Sequence, residues 1–105
     1  MANQKLPELS AEQRKEALEK AARVRKERAE IKRSLKAGKL KVSEVLARAD
    51  DDTYGKMTVK SVIESLPGVG KMRASRIMEE IGISETRRIK GLGPKQLEAL
   101  KERFS

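Results

Sequence analysis

The 105-residue sequence has no cysteine, no histidine and no tryptophan, and its aromatic residues are one tyrosine, Tyr54, and one phenylalanine, Phe104. Without thiols or imidazoles there are no disulfides, no thiolate nucleophile, no imidazole general base and almost no route to a zinc site. Carboxylates and lysines are left as the only catalytic candidates, and no cofactor, metal or small-molecule substrate is expected. The shortage of aromatics also removes the stacking platforms on which single-stranded nucleic acids are read. No apolar run approaches the roughly 18 residues that a membrane span needs. Residues 1–7 lack the apolar stretch of a secretory signal, so the expectation is a cytoplasmic protein without a membrane partner.

What is present is charge. Charged residues make up 39% of the chain against 37% hydrophobic, which limits the core and places a long charged element outside it. Lysine and arginine exceed aspartate and glutamate by 25 to 16, a net charge of +9, and the sequence pI is about 10.0. Such an excess implies an anionic partner. With aromatic stacking unavailable, phosphate contact with a duplex is favoured.

Ser10 followed by Gln13 is a capping-box spacing, and after Leu9-Ser10 no glycine or proline occurs until Gly38, which predicts one long helix. Ala17, Ala21, Val24, Ile31 and Leu35 form a thin apolar stripe on it, interrupted by Arg28. Arg14, Lys15, Lys20, Arg23, Arg25, Lys26, Lys32 and Arg33 occupy much of the remainder. Three readings stay open for this helix: a solvated arm laced by i,i+4 pairs between residues such as Glu12, Glu16 and Lys20, a direct DNA contact, or a coiled-coil seam. The alanines and Arg28 count against the seam, which favours leucine and isoleucine, and a monomer is expected.

Beyond Gly38, residues 42–49 suggest a short helix ending at Asp50-Asp51-Asp52. That triplet lacks the alternation, glycine and closing glutamate of a calcium loop and reads as a helix-end turn. Val59, Val62, Ile63 and Leu66 then recur at helical spacing, and Ala74, Ile77, Met78 and Ile81 repeat it. Gly82 closes the second of these helices, Ser84 opens a further turn toward Arg88, and Leu97, Leu100 and Phe104 mark a last helix entered at Pro94. The fold class is therefore all-α: a long basic N-terminal helix over 1–40, then a compact helical domain over 41–105.

Between the two helices of that domain lies Leu66-Pro67-Gly68-Val69-Gly70-Lys71. A turn that must approach a phosphate needs residues without a Cβ, both to reach positive φ and to bring backbone N–H groups near the anion. Gly68 and Gly70 meet that need, Pro67 stiffens the entrance and Val69 plugs back between the helices. Lys71 starts a helix whose positive dipole end faces the same anion, and Arg73 and Arg76 follow at i,i+3 spacing, with Ala74 and Ile77 on the core side. The plainer reading is a tight turn beside solubilising cations. The spacing is not that of a Walker loop. A second constellation combines Ser84, Thr86, Arg87, Arg88, Lys90, Gly91, Leu92 and Gly93. It reads either as a basic loop folding over a duplex or as a solvated helix end.

Gly55-Lys56-Met57, Glu64-Ser65-Leu66-Pro67-Gly68-Val69-Gly70-Lys71, Gly82-Ile83-Ser84-Glu85 and Arg87-Arg88-Ile89-Lys90-Gly91-Leu92-Gly93 resemble the actinobacterial integration host factors. The likeness extends to Glu12-Gln13-Arg14 and the alanine- and arginine-rich first helix. It implies a helix-two-turns-helix domain that binds duplex DNA with little sequence preference, compacts or bends it in the nucleoid, and supports integration, recombination and gene regulation. The resemblance places a phosphate-binding hairpin at 66–71 and a basic lid within 82–94. Lys90 stands where an arginine is common, which weakens a bidentate contact there. A similar hairpin in a ribosomal protein of the small subunit raises rRNA binding as an alternative. That role predicts a long basic C-terminal tail, whereas this sequence closes on Lys101-Glu102-Arg103-Phe104-Ser105. DNA glycosylases share the hairpin too, but no aspartate follows position 52 and no aromatic lies near the hairpin to line a base pocket, so no enzyme activity is expected.

The electrostatic reading has a direct check in competition titrations of the full chain. Duplex DNA should be preferred over double-stranded RNA, and log K should fall with log salt at a slope of roughly −5 for about six phosphate contacts. Equal or better binding to RNA, or a flat salt response, contradicts it.

Overall fold

The first helix opens with a reciprocal cap. The Gln13 amide donates to Ser10 Oγ at 3.1 Å and the Ser10 amide to Gln13 Oε1 at 2.9 Å, an arrangement typically worth about 1 kcal/mol. In the computed structural model, which describes residues 10–104, this helix is α1 (Ala11–Lys36). Leu9 and the rest of the segment 1–9 lie outside the described residues, as does Ser105. The described chain continues through α2 (Val42–Ala47), α3 (Asp52–Lys56), α4 (Val59–Glu64), α5 (Gly70–Ile81), a 3-10 turn (Ile89–Gly91) and α6 (Pro94–Arg103). The fold is all-α.

At 1.5 Å per residue α1 is about 39 Å long, yet it buries only Ile31 and Leu35, near its C-terminal end. Residues 11–23 are all exposed. The apolar stripe expected from Ala17 through Leu35 is therefore buried only in its last third: Ala17 and Ala21 meet no neighbour able to cover them, and Val24 is half-covered. Arg28 is also half-buried, and its Nε has no acceptor among the described residues. Nor does an ion pair join Glu16 to Lys20, so the expected i,i+4 lacing does not form at that pair. The projecting helix stretches the molecule to 54 × 29 × 24 Å, with a radius of gyration of 17.1 Å, against about 13 Å for an ordinary 100-residue domain.

The core gathers Leu35 of α1 with Val45 and Leu46 of α2, Val59, Val62 and Ile63 of α4, Ala74, Ile77 and Met78 of α5, and Leu100 of α6. Each fully covered aliphatic contributes about 1.5–3 kcal/mol. The closest association is between α4 and α5. One helix, α3, has no signature in the sequence pattern. The Asp50-Asp51-Asp52 turn also starts α3, because Asp51 Oδ1 accepts from the amides of Thr53 (2.8 Å) and Tyr54 (3.2 Å). Five residues are too few to reveal a helical period. Thr53 then donates its hydroxyl to Glu27 Oε1 at 2.7 Å, fastening α3 to α1.

Gly55, inside α3, has no room for a side chain. A Cβ would collide with the Ala49 carbonyl oxygen and sit 3.3 Å from Lys90 Cβ. Gly91 differs, since a Cβ there would find Arg87 Cδ at 3.5 Å, an ordinary contact. Gly55→Ala is therefore expected to lower unfolding free energy by about 1–3 kcal/mol in urea titrations, and Gly91→Ala to change it by no more than about 0.5 kcal/mol.

Candidate nucleic-acid interface

The seam between α4 and α5 must be closed by a very short connection. The Ser65, Leu66 and Val69 amides donate back to Val62, Ile63 and Leu66 carbonyls at 3.3, 3.1 and 3.2 Å. Leu66 and Val69 are half-buried against the core, as the plug reading of Val69 requires, while Pro67, Gly68, Gly70 and Lys71 face solvent. Gly68 and Gly70 take φ of +74° and +70°, values that cost a residue with a Cβ roughly 1–2 kcal/mol. A Cβ at either glycine would meet nothing within 4 Å. The constraint is the backbone conformation, and the space over the turn is open.

The turn leaves α5 without a cap. Val69 at its N-cap is in the right-handed helical region and offers no side-chain acceptor. The amides of Gly68, Gly70, Lys71 and Met72 find no acceptor within the described residues. α1, α3 and α4 are capped by Ser10, Asp51 and Thr58 side chains, and the Gly93 amide at the start of α6 donates to Gln96 Oε1 at 3.1 Å. In a 12-residue helix the uncapped end carries a partial positive charge together with unsatisfied donors. Lys71, Arg73 and Arg76 are exposed beyond it, and Ala74 and Ile77 are buried on the inner face. A groove of about 580 Å³ runs past the turn, lined by Gly68, Val69, Gly70 and Lys71 on one side and by Lys32, Arg33 and Lys36 of α1 on the other. Nothing in the order of residues along the chain connects these α1 cations to the hairpin.

The second constellation is held by hydrogen bonds at several points. Residues 57–59 and 87–89 form a single antiparallel bridge, with the Val59 amide donating to Arg87 O and the Ile89 amide to Met57 O, each at 2.9 Å. Ile83 and Ile89 are buried beneath it. Arg88 Nη1 donates to Lys56 O at 2.7 Å and Arg87 Nη1 to Gly91 O at 3.1 Å. At the two ends of the segment Gln96 Nε2 holds Gly82 O at 3.0 Å, and its Oε1 accepts from Gly93. Instead of the helical turn expected through Arg88, the chain makes a tight turn in which Thr86 N donates to Ser84 Oγ at 3.3 Å, and then the bridge. The segment is a braced basic loop that closes in a 3-10 turn, and not a solvated helix end. Gly91 and Gly93 keep negative φ, so this glycine pair does not repeat the geometry of Gly68 and Gly70. Leu92 is half-buried against the core, and Ser84, Thr86, Arg87, Arg88, Lys90 and Gly91 line an open depression.

Hairpin and lid line separate depressions. They approach each other through α5, where Ser75 and Arg76 flank the same shallow surface as Ser84 and Glu85. Glu85 in turn pairs with Lys60 of α4 at 2.8 Å. The hydrogen bond from Lys60 is the main cause that holds the Glu85 carboxyl below its ordinary value, and the same bond holds the Lys60 ammonium above its own. The depressed carboxyl makes this contribution present above the unfolded carboxylate range and lost as pH falls through the folded value. The raised ammonium makes it present below the unfolded lysine value and lost at high pH. The pair thus ties the lid to α4 throughout the neutral range.

The S13-like H2TH domain family matches residues 35–104. The integration host factor of Streptomyces coelicolor is 52% identical over 100 residues, covering 94% of this chain and 94% of that protein. Its counterpart in Mycobacterium tuberculosis is 50% identical, covering 94% and 95%. The chain belongs to the actinobacterial integration host factors. A solved structure of sIHF bound to an 8-bp palindromic DNA superposes with a TM-score of 0.79 at 49% identity, covering 83% of this chain and 99% of that one. In this family member the α5 hairpin is an open, cationic, donor-rich surface, and among the described residues no helix is long and apolar enough to cross a membrane.

Because the Arg88 guanidinium braces the lid on the last carbonyl of α3, Arg88→Ala should speed hydrogen exchange at the Ile89 amide while leaving the Ile77 amide protected. The loss in stability should be about 1 kcal/mol, the worth of one hydrogen bond. Unchanged Ile89 protection would show that the bridge alone holds the lid.

Proposed function

We propose that this protein is an architectural, double-stranded DNA-binding protein of the nucleoid that grips backbone phosphates and performs no catalysis. The observation that carries the reading is the uncapped N-terminus of α5, with left-handed Gly68 before the helix, left-handed Gly70 at its first position, and exposed Lys71, Arg73 and Arg76 beyond. A phosphate seated over Gly68 and Gly70 accepts from free amides, gains the helix dipole and meets the Lys71 ammonium. Arg87, Arg88 and Lys90 add a second cationic contact on a braced lid, where Lys90 acts as a point charge.

Contacts of this kind position a duplex without reading it, which accounts for low sequence specificity. Acting as a monomer on successive sites, a chain of net charge +9 neutralises phosphates and favours compaction or bending of DNA, the physical basis of a role in integration, recombination and gene regulation. Its site is an open groove and not a pocket enclosing a flipped base, in keeping with a binding role. The rRNA-binding alternative is not favoured. The relatives carry the host-factor name, and the neighbouring structure is a DNA complex.

Gly70→Asp places a carboxylate and a Cβ at the phosphate seat. It is expected to weaken duplex binding by tenfold or more, about 1.4 kcal/mol, and by more than Arg33→Ala does, in fluorescence-anisotropy titrations of variants with unchanged far-UV circular dichroism. The reverse order would move the principal site away from the hairpin.

A further inference from the structure

Apart from Arg23, which lies among the acids, and Lys20 beside them, the charges of α1 are sorted around its axis. At about 100° per residue, Glu12, Glu16, Glu19, Glu27 and Glu30 all fall within an arc of roughly 80°. Lys15, Arg25, Lys26, Lys32, Arg33 and Lys36 fall within another of roughly 120° that contains no acid. Packing assigns a neighbour to each arc. The acidic one turns toward α3, where Glu27 and Glu30 line a depression with Asp51, Thr53 and Tyr54. The basic one turns toward the α4–α5 hairpin, where Lys32, Arg33 and Lys36 form the wall opposite Gly68, Gly70 and Lys71. Among the described residues, Glu64 is the one carboxylate in that groove, set against four cations.

A helix whose charges served only solubility would have no reason to segregate them. Interleaved signs at i,i+4 would stabilise it by a few tenths of a kcal/mol per pair. Here Arg25, Lys32, Arg33 and Lys36 enter no ion pair among the described residues, and Ala22 and Ala29 in the same arc leave the helix surface low between them. From Lys15 to Lys36 the face runs about 32 Å, close to the roughly 34 Å of one duplex turn.

We propose that the basic flank of α1 is a second stretch of the DNA interface, continuous with the hairpin. The phosphate backbone that leaves the Gly68–Gly70 seat passes along α1, held by Lys32, Arg33 and Lys36 and then by Arg25. The long helix is on this reading a rail for the duplex, and its acidic flank keeps the DNA to one side. The proposal rests on the reading of the hairpin as a DNA clamp.

The test compares two variants of the full chain that remove the same charge, Lys32→Gln with Lys36→Gln on the basic flank and Lys20→Gln with Arg23→Gln outside it. Glutamine keeps helix propensity close to that of the residues replaced. The quantity read is the slope of log K against log salt on a duplex longer than one turn. The first variant should flatten the slope by about 1.8, since each phosphate left without its cation removes about 0.9, and the second should leave it at the wild-type value. An unchanged slope in the first, or equal flattening in both, overturns the proposal. Failure of the hairpin reading has a different signature: Gly70→Asp then binds like wild type, whatever the two α1 variants do.

Discussion

Val59, Val62 and Ile63 on one side, with Ala74, Ile77 and Met78 on the other, form the apolar seam that closes α4 against α5. Two consecutive helices held this closely must be joined by a turn of a few residues, and the strain of that turn is absorbed at Gly68 and Gly70 in the left-handed region. The N-cap position falls on Val69, an apolar side chain that packs against the core and offers no acceptor. The donors at the start of α5 are left exposed, and the chemistry of the site follows from their lack of an internal acceptor. Replacing Ile63 with alanine would cost about 2–5 kcal/mol and loosen the hairpin with it, because fold and site share one set of contacts.

The rest of the domain holds cations in place against their mutual repulsion. Arg87 and Arg88 each spend one donor on a backbone carbonyl, and Lys60 is held by Glu85. The lid that results is braced at Gly82, at residues 57–59 and at Gly93, so that on the proposed reading its ordering does not have to be supplied by a bound phosphate. Such pre-organisation lowers the entropy cost of binding. Gly55 belongs to this arrangement by its size alone: α3 passes close under Ala49 and Lys90, and a methyl group there would push both away.

Elements with a repeated period were legible in the sequence. The Ser10 capping box, the alternation of apolar residues over α4, α5 and α6, Gly82 at the end of α5 and Pro94 at the start of α6 all stand where local chemistry places them. What escaped had no period or no local cause. α3 is too short to show one, and the bridge between residues 57–59 and 87–89 depends on backbone groups that no side chain announces. The stripe from Ala17 to Leu35 has a genuine helical spacing, but only Ile31 and Leu35 find a surface to cover them.

By itself the sequence determined the anionic character of the partner, the all-helical class and the need for glycine at 68 and 70. These follow from net charge, from periodicity and from the steric demand of a turn, all properties of the chain read in order. The tertiary structure decided which cations share a surface. Lys32, Arg33 and Lys36 lie thirty residues or more from the hairpin along the chain, and only the docking of α1 through Ile31 and Leu35 sets them across the groove from Gly70. It also decided that the amides at the start of α5 remain without partners, since whether a donor is satisfied depends on what packs beside it.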